Sequence, residues 1–171
     1  MIPIFTYAKG ALEEHEGEVV SEFPLTLTVN GRELATLVSS PHGLNFLVAG
    51  FLRLQGFVSS LDEFEMFSVC QDFGAANVRI KGELPERLKP VLTSGCGTGI
   101  SFSMPVSLPA TAVAREYTPE QVFARMEMFG READHYRSHG GIHSAAVGYG
   151  ERMLLYAEDQ GRHNTLDRIA G

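Results

Sequence analysis

Residues 19–38 constrain the fold of this chain more than any other stretch. Leu25, Leu27 and Val29 alternate with polar residues, Asn30-Gly31 supplies two positions that accept left-handed backbone, and Leu34 to Val38 resumes the extended pattern. This predicts a β-hairpin with a type I′ turn and one apolar face. The period then changes after Pro41: Leu44, Leu47, Val48, Phe51 and Leu54 share one helical face, with Gly56 at the expected stop. Residues 64–69 and 77–81 read as short strands, the second with Val78 and Ile80 on one side. A half-buried hairpin followed by an amphipathic helix and more strands makes a small α+β unit.

Beyond it the composition shifts. Residues 93–99 are Gly, Ser, Thr and one Cys, and 105–109 read as a connector. A helix follows with a marked start: Thr118 as N-cap, Pro119 at the first position and Gln121 completing a capping box. Val122, Phe123, Met126 and Phe129 form its apolar face, and Gly130 is expected to interrupt it. Next come a second helical stretch, a turn at Gly140-Gly141, and strands over 143–147 and 153–157. A last helix starts at Gly161, with Leu166 and Ile169 expected to face inward. The pattern stops partway through an element, so a missing C-terminal segment is expected.

Composition excludes several classes. A net charge of −7 argues against a broad basic face for nucleic acid, and the absence of tryptophan and of Lys/Arg blocks removes stacking platforms and polybasic arms. The longest apolar run, Phe46 to Leu52, is far short of the roughly 20 residues of a membrane span. No basic, cleavable leader is visible at the N-terminus. Cys70 and Cys96 are the only cysteines, which fits a reducing, cytoplasmic setting. Cys70 ends an apolar run and reads as a small core residue.

Three constellations carry candidate chemistry. In Thr93-Ser-Gly-Cys-Gly-Thr-Gly99, glycines on both sides of Cys96 remove steric cover, as thiolate attack on sulfur requires. An incidental cysteine in a surface loop reads the string equally well. In Gly140-Gly-Ile-His143, the histidine follows a turn and either points into a site or sits satisfied at a strand end. In Glu158-Asp-Gln-Gly-Arg-His-Asn164, a strand ends in two carboxylates, turns, and enters a helix with Arg162, His163 and Asn164 in its first turn. Free amides and the helix dipole there attract anions, which suits a phosphate ligand; Asp159 or Asp167 would orient these groups or bond a purine or ribose. A metal site is not expected. His135, His139 and His143 straddle the Gly-Gly break without cysteine or carboxylate ligands at finger spacing. Zinc deamination is excluded as well, because Ala145 stands where His-x-Glu needs its proton shuttle.

Taken in order, the strings Glu22 to Gly31, Gly50-Phe-Leu52 with Gly56, Thr93 to Gly97, Gly140 to His143, and Glu158 to Asn164 with Asp167 resemble the formate dehydrogenase accessory sulfurtransferase family. The resemblance covers nearly the whole chain. It implies an α+β / α/β fold: a small N-terminal α+β roll over 1–105, ending in the cysteine loop, and a cytidine-deaminase-like domain begun by 106–171. It also implies an activity. Such proteins accept sulfur from a cysteine desulfurase as a cysteine persulfide, on Cys96 here. They pass it to the molybdenum bis-guanine-dinucleotide cofactor needed by formate dehydrogenase. Arg162, His163 and Asn164 would bind that cofactor, with His143 and Asp159 near it. A cytoplasmic homodimer with no catalytic metal of its own is implied. The family loop usually reads Cys-x-x-Cys, whereas the second position here is Gly99. The rival expectation is a non-catalytic chaperone that binds the same cofactor.

Overall fold

The computed structural model describes residues 2–86, 88, 90–92, 100–102 and 116–171. Strands β1 (Ile2–Ala8) and β2 (Ala11–Gly17) form an antiparallel ribbon. Strands β3 (Phe23–Val29) and β4 (Arg32–Ser39), helix α1 (Leu44–Leu54), and strands β5 (Phe64–Cys70) and β6 (Ala75–Ile80) build the first unit. Strands β7 (Pro90–Leu92) and β8 (Ile100–Phe102) pair antiparallel. Then follow α2 (Pro119–Glu132), α3 (Asp134–His139), the antiparallel pair β9 (His143–Tyr149) and β10 (Arg152–Asp159), and α4 (Arg162–Ala170). The fold is mixed α+β.

The central sheet has the order β4-β3-β6-β5. Two hairpins are joined by the parallel pair β3–β6. The predicted turn is present, with positive φ at Asn30 (49°) and Gly31 (78°). Asn30 also extends the parallel pairing: its backbone N–H donates to Val78, its side-chain oxygen accepts from Ile80 N at 2.9 Å, and its amide nitrogen donates to the Gly82 carbonyl. Alternation places Leu25, Leu27 and Val29, all 0% exposed, on the core face, where Val78 and Ile80 join them. Helix α1 covers that face with Leu47, Val48, Phe51 and Leu52. Complete burial of each such leucine contributes about 1.5–3 kcal/mol.

Several expectations shift. Leu54 is exposed and Leu52 takes its place, because the chain folds back over Leu52 through Phe57 and Val58. Cys70 is half-buried at the end of β5 instead of sealed in the core. The capping box at Thr118 is present, but α2 runs through Gly130 and buries none of its residues. Its apolar face, Phe123 above all, lies open. On α4, Leu166 faces outward and Thr165, Asp167 and Arg168 face inward.

That inversion follows from how α4 meets α1. The two helices approach on bare backbone: a Cβ at Gly50 would lie 1.6 Å from the Asp167 carbonyl oxygen, and one at Gly171 would lie 1.9 Å from that of Phe46. Gly50→Ala is therefore expected to cost about 3 kcal/mol or more, through forced separation of the helices. At Gly130 nothing stands within 4 Å of an added Cβ, so Gly130→Ala should gain about 0.5–1 kcal/mol from helix propensity. Urea unfolding midpoints of the two variants check this. Shifts of the same sign would contradict the packing described.

Candidate functional site at the β10–α4 turn

The turn between β4 and α1, Ser40-Pro-His-Gly43, meets the turn between β10 and α4. One carboxylate joins them. Asp159 is 0% exposed. Its Oδ2 accepts from Arg168 Nε at 2.8 Å, from a second Arg168 nitrogen at 2.6 Å, and from Ser40 N at 3.2 Å. Its Oδ1 accepts from Gly161 N and the Asn164 side-chain amide, each at 2.8 Å. Arg168 also donates to the carbonyls of Ser40 (2.8 Å) and His42. Asn164 donates to the Val38 carbonyl at 2.9 Å, and Gln160 N donates to Ser40 Oγ at 3.1 Å. A buried ion pair is tolerable only when its remaining lone pairs and protons are satisfied in this way. The result is a rigid lock between residues far apart in sequence.

Glu158 performs a parallel task one residue earlier. Its carboxylate accepts from the backbone N–H of His135 and Tyr136, both at 3.0 Å, and from Ser144 Oγ at 3.2 Å. It thereby occupies the N-terminus of α3 as an anion. Burial pushes its pKa up, but the two backbone amides, with smaller contributions from the Tyr156 and Ser144 hydroxyls, outweigh it, so the pKa lies below the usual carboxylate value. His42 Nε2 stands 3.0 Å from the Glu158 carbonyl. A carbonyl only accepts, so Nε2 carries the proton. Burial, then Arg168, lowers the pKa of His42. Its ring stacks on His135 at 5.2 Å between centroids. The two line a cavity of about 430 Å³ with Phe46, Glu132, Asp134 and Arg168.

The predicted site residues thus separate into groups. Asp159 and Asn164 are spent on the lock. Arg162 and His163 are exposed in the first turn of α4, whose N-cap, Gly161, offers no side chain to its amides. His143 is exposed at the start of β9 and pairs with Asp159 across the ladder. Cys96 lies outside the described residues, between β7 and β8. Downstream, Phe102 is seated against Phe51 and Phe57, and its N–H donates to the Gln55 side chain at 2.8 Å. The sequence reading missed Ser40, His42 and Arg168. The available signal was the polar string Ser39-Ser-Pro-His-Gly43 at a strand-to-helix turn. Among the described residues no cluster of three potential ligands can hold a metal ion, and no helix is long and apolar enough to cross a membrane.

The chain is similar to several known proteins. The sulfur carrier protein FdhD of Bacillus licheniformis is 35% identical over 175 residues, covering 98% of this chain and 66% of that protein. The protein of the same name from Staphylococcus aureus MRSA252 is 33% identical over 176 residues, covering 99% and 66%. The chain thus spans about two thirds of the length of these curated relatives. A solved structure, described as a candidate formate dehydrogenase accessory protein from Desulfotalea psychrophila, shares the fold with a TM-score of 0.62 at 23% identity, covering 98% of this chain and 63% of that one. The FdhD/NarQ family profile matches residues 20–171. The chain belongs to the FdhD/NarQ family.

Proposed function

We propose that this chain is the sulfur-carrying part of a formate dehydrogenase accessory sulfurtransferase, with Cys96 as the carrier. The Cys96 thiolate attacks the terminal sulfur of a persulfide on a cysteine desulfurase. A new S–S bond forms on Cys96, the donor S–S bond breaks, and the donor leaves as a thiolate. The acceptor, the molybdenum bis-guanine-dinucleotide cofactor in a reduced state, then supplies the electron pair for its bond to the terminal sulfur, the S–S bond breaks, and Cys96 leaves as thiolate. With Gly99 in the second loop position, the loop itself holds no second thiol to expel the sulfur by closing a disulfide.

The observation that carries the reading is the opening of α4. Its uncapped first turn presents Arg162 and His163, and the Asp159–Arg168 lock beneath holds it in place. Backbone amides and an arginine on a fixed helix terminus suit a dinucleotide phosphate. His143 stands at the neighbouring strand end. In this reading 1–105 carries the cysteine loop, 106–171 belongs to a cytidine-deaminase-like unit, and the protein works as a cytoplasmic homodimer. A cofactor chaperone without sulfur transfer shares the cradle and differs only in not using Cys96.

Incubation with a cysteine desulfurase and cysteine should add about 32 mass units, one sulfur, to the protein. Cys96→Ser should abolish the adduct and Cys70→Ser should leave it. In the same preparations GDP should bind by calorimetry, more weakly in Arg162→Ala and at higher salt. No adduct with intact GDP binding would leave the chaperone. Adduct on Cys70, or GDP binding indifferent to Arg162, would overturn the assignment of the site.

A further inference from the structure

The ribbon β1–β2 lies before residue 20, where the family profile begins its match. Its two strands turn at Lys9-Gly10 and pair from Ala8↔Ala11 to Ile2↔Gly17. Only Ile4 and Gly17 are half-buried; every other position of the two strands is exposed. One face carries Phe5, Tyr7 and Leu12, at 58%, 74% and 66% exposure, with Tyr7 opposite Leu12, Phe5 opposite Glu14, and Pro3 opposite Glu16. Among the described residues no third strand pairs with this ribbon. A two-stranded ribbon alone is marginally stable in water, and a third strand along an open edge is the usual remedy.

The two edges are not equivalent. In a hairpin with a two-residue turn the flanking pair, Ala8 and Ala11, exchanges hydrogen bonds, so alternate residues turn their backbone groups outward. On β1 these are Pro3, Phe5 and Tyr7. Pro3 has no N–H, which blunts that edge. On β2 they are Leu12, Glu14 and Glu16, each with a full donor and acceptor. Charge then selects the occupant. Glu13, Glu14, Glu16, Glu18 and Glu22 fall within a stretch, residues 11–22, that holds no Lys or Arg. A second copy paired β2 to β2 would set carboxylates against carboxylates, which is destabilising.

We propose that β2 receives an extended basic segment of another protein as a third strand. Its apolar side chain packs on Leu12 and Tyr7, and two Lys or Arg at alternate positions meet Glu14 and Glu16. Backbone pairing supplies affinity and the alternating charges set register and orientation. The proposal makes no use of Cys96, so its test does not depend on that reading.

The probe is a labelled peptide, acetyl-Val-Lys-Val-Lys-Val-Leu-Val-amide, titrated into the full chain by fluorescence anisotropy. It should bind, and Glu14→Lys/Glu16→Lys should weaken it about tenfold or more. Glu18→Lys/Glu22→Lys, with the same charge change off the ribbon, should alter it about twofold or less. N-methylation of the peptide on its pairing amides should weaken it as strongly as the ribbon substitutions. Equal losses in the two charge variants would show general attraction to an acidic protein and overturn the proposal. So would undiminished binding of the N-methylated peptide. Dimers in sedimentation that vanish in Phe5→Ser/Tyr7→Ser would assign the face to a second copy instead, and would equally overturn it.

Discussion

Arg168→Met should destabilise the protein by about 3–5 kcal/mol, a large share of the roughly 5–15 kcal/mol that holds a domain together. The methionine fills much of the volume but leaves Asp159, 0% exposed, without its countercharge. The His42 carbonyl loses the Arg168 donor in the same step, and the Ser40 carbonyl keeps only Ser39 Oγ. Replacing an ion pair by two apolar residues often restores stability, but that should fail here. Asp159 also receives Ser40 N, Gly161 N and the Asn164 amide, and an apolar residue would strand all three. Asp159→Leu/Arg168→Met should therefore remain at least as unstable as Arg168→Met. Urea unfolding measures both. A loss under about 1 kcal/mol in the single variant would mean that the lock bears little of the fold's stability.

The second large effect concerns pH. Burial, with a smaller contribution from Asp159, pushes the pKa of Asp167 up to about 7 from 3.8. Only 7% of the residue is exposed. A carboxyl group raised in the folded state favours folding while protonated. Its contribution is complete below the unfolded value near 4 and is lost as pH rises through about 7. A shift of about three units corresponds to about 4 kcal/mol. Glu158 acts in the opposite sense, since its lowered pKa makes its contribution fail on the acid side. Stability should thus peak in mildly acidic solution. Asp167→Asn, neutral at every pH, should match the parent near pH 4 and exceed it by up to about 4 kcal/mol at pH 8. Parallel pH profiles for parent and variant would refute the burial of a strained carboxylate at this position.

Local chemistry explains which elements were legible in the sequence. The turn at Asn30-Gly31, the helix from Leu44 and the capping box at Thr118 each announce themselves within a few residues. The ribbon β1–β2 was not read, because Ala-Leu-Glu-Glu-His-Glu-Gly lacks apolar alternation and Lys9-Gly10 is a weaker turn signal than Asn-Gly. The orientation of α4 was misjudged for a different reason. Its leucine suggested the inward face, but the neighbours awaiting it are the backbone of α1 and the Ser40 turn that the polar lock engages, both more than a hundred residues away in sequence. Asp159 and Asn164 have the residue types of a ligand site and serve a buried network. The same hydrogen-bonding capacity suits both tasks, and only the partners in space distinguish them.

The bare contact of α1 with α4 also sets the order in which these elements are assembled. Helix α1 ends at Leu54 and α4 starts at Arg162. At about 5–20 residues per second of synthesis, α1 waits on the order of ten seconds for its partner. During that time the strip around Phe46 and Gly50 is uncovered, and the Ser40 turn has neither Asp159 nor Arg168 to hold it. The central sheet can form long before α4 is made, yet its covering helix is closed over only when residues 162–171 arrive. A nascent chain stalled before them would carry a nearly complete first unit with an open flank.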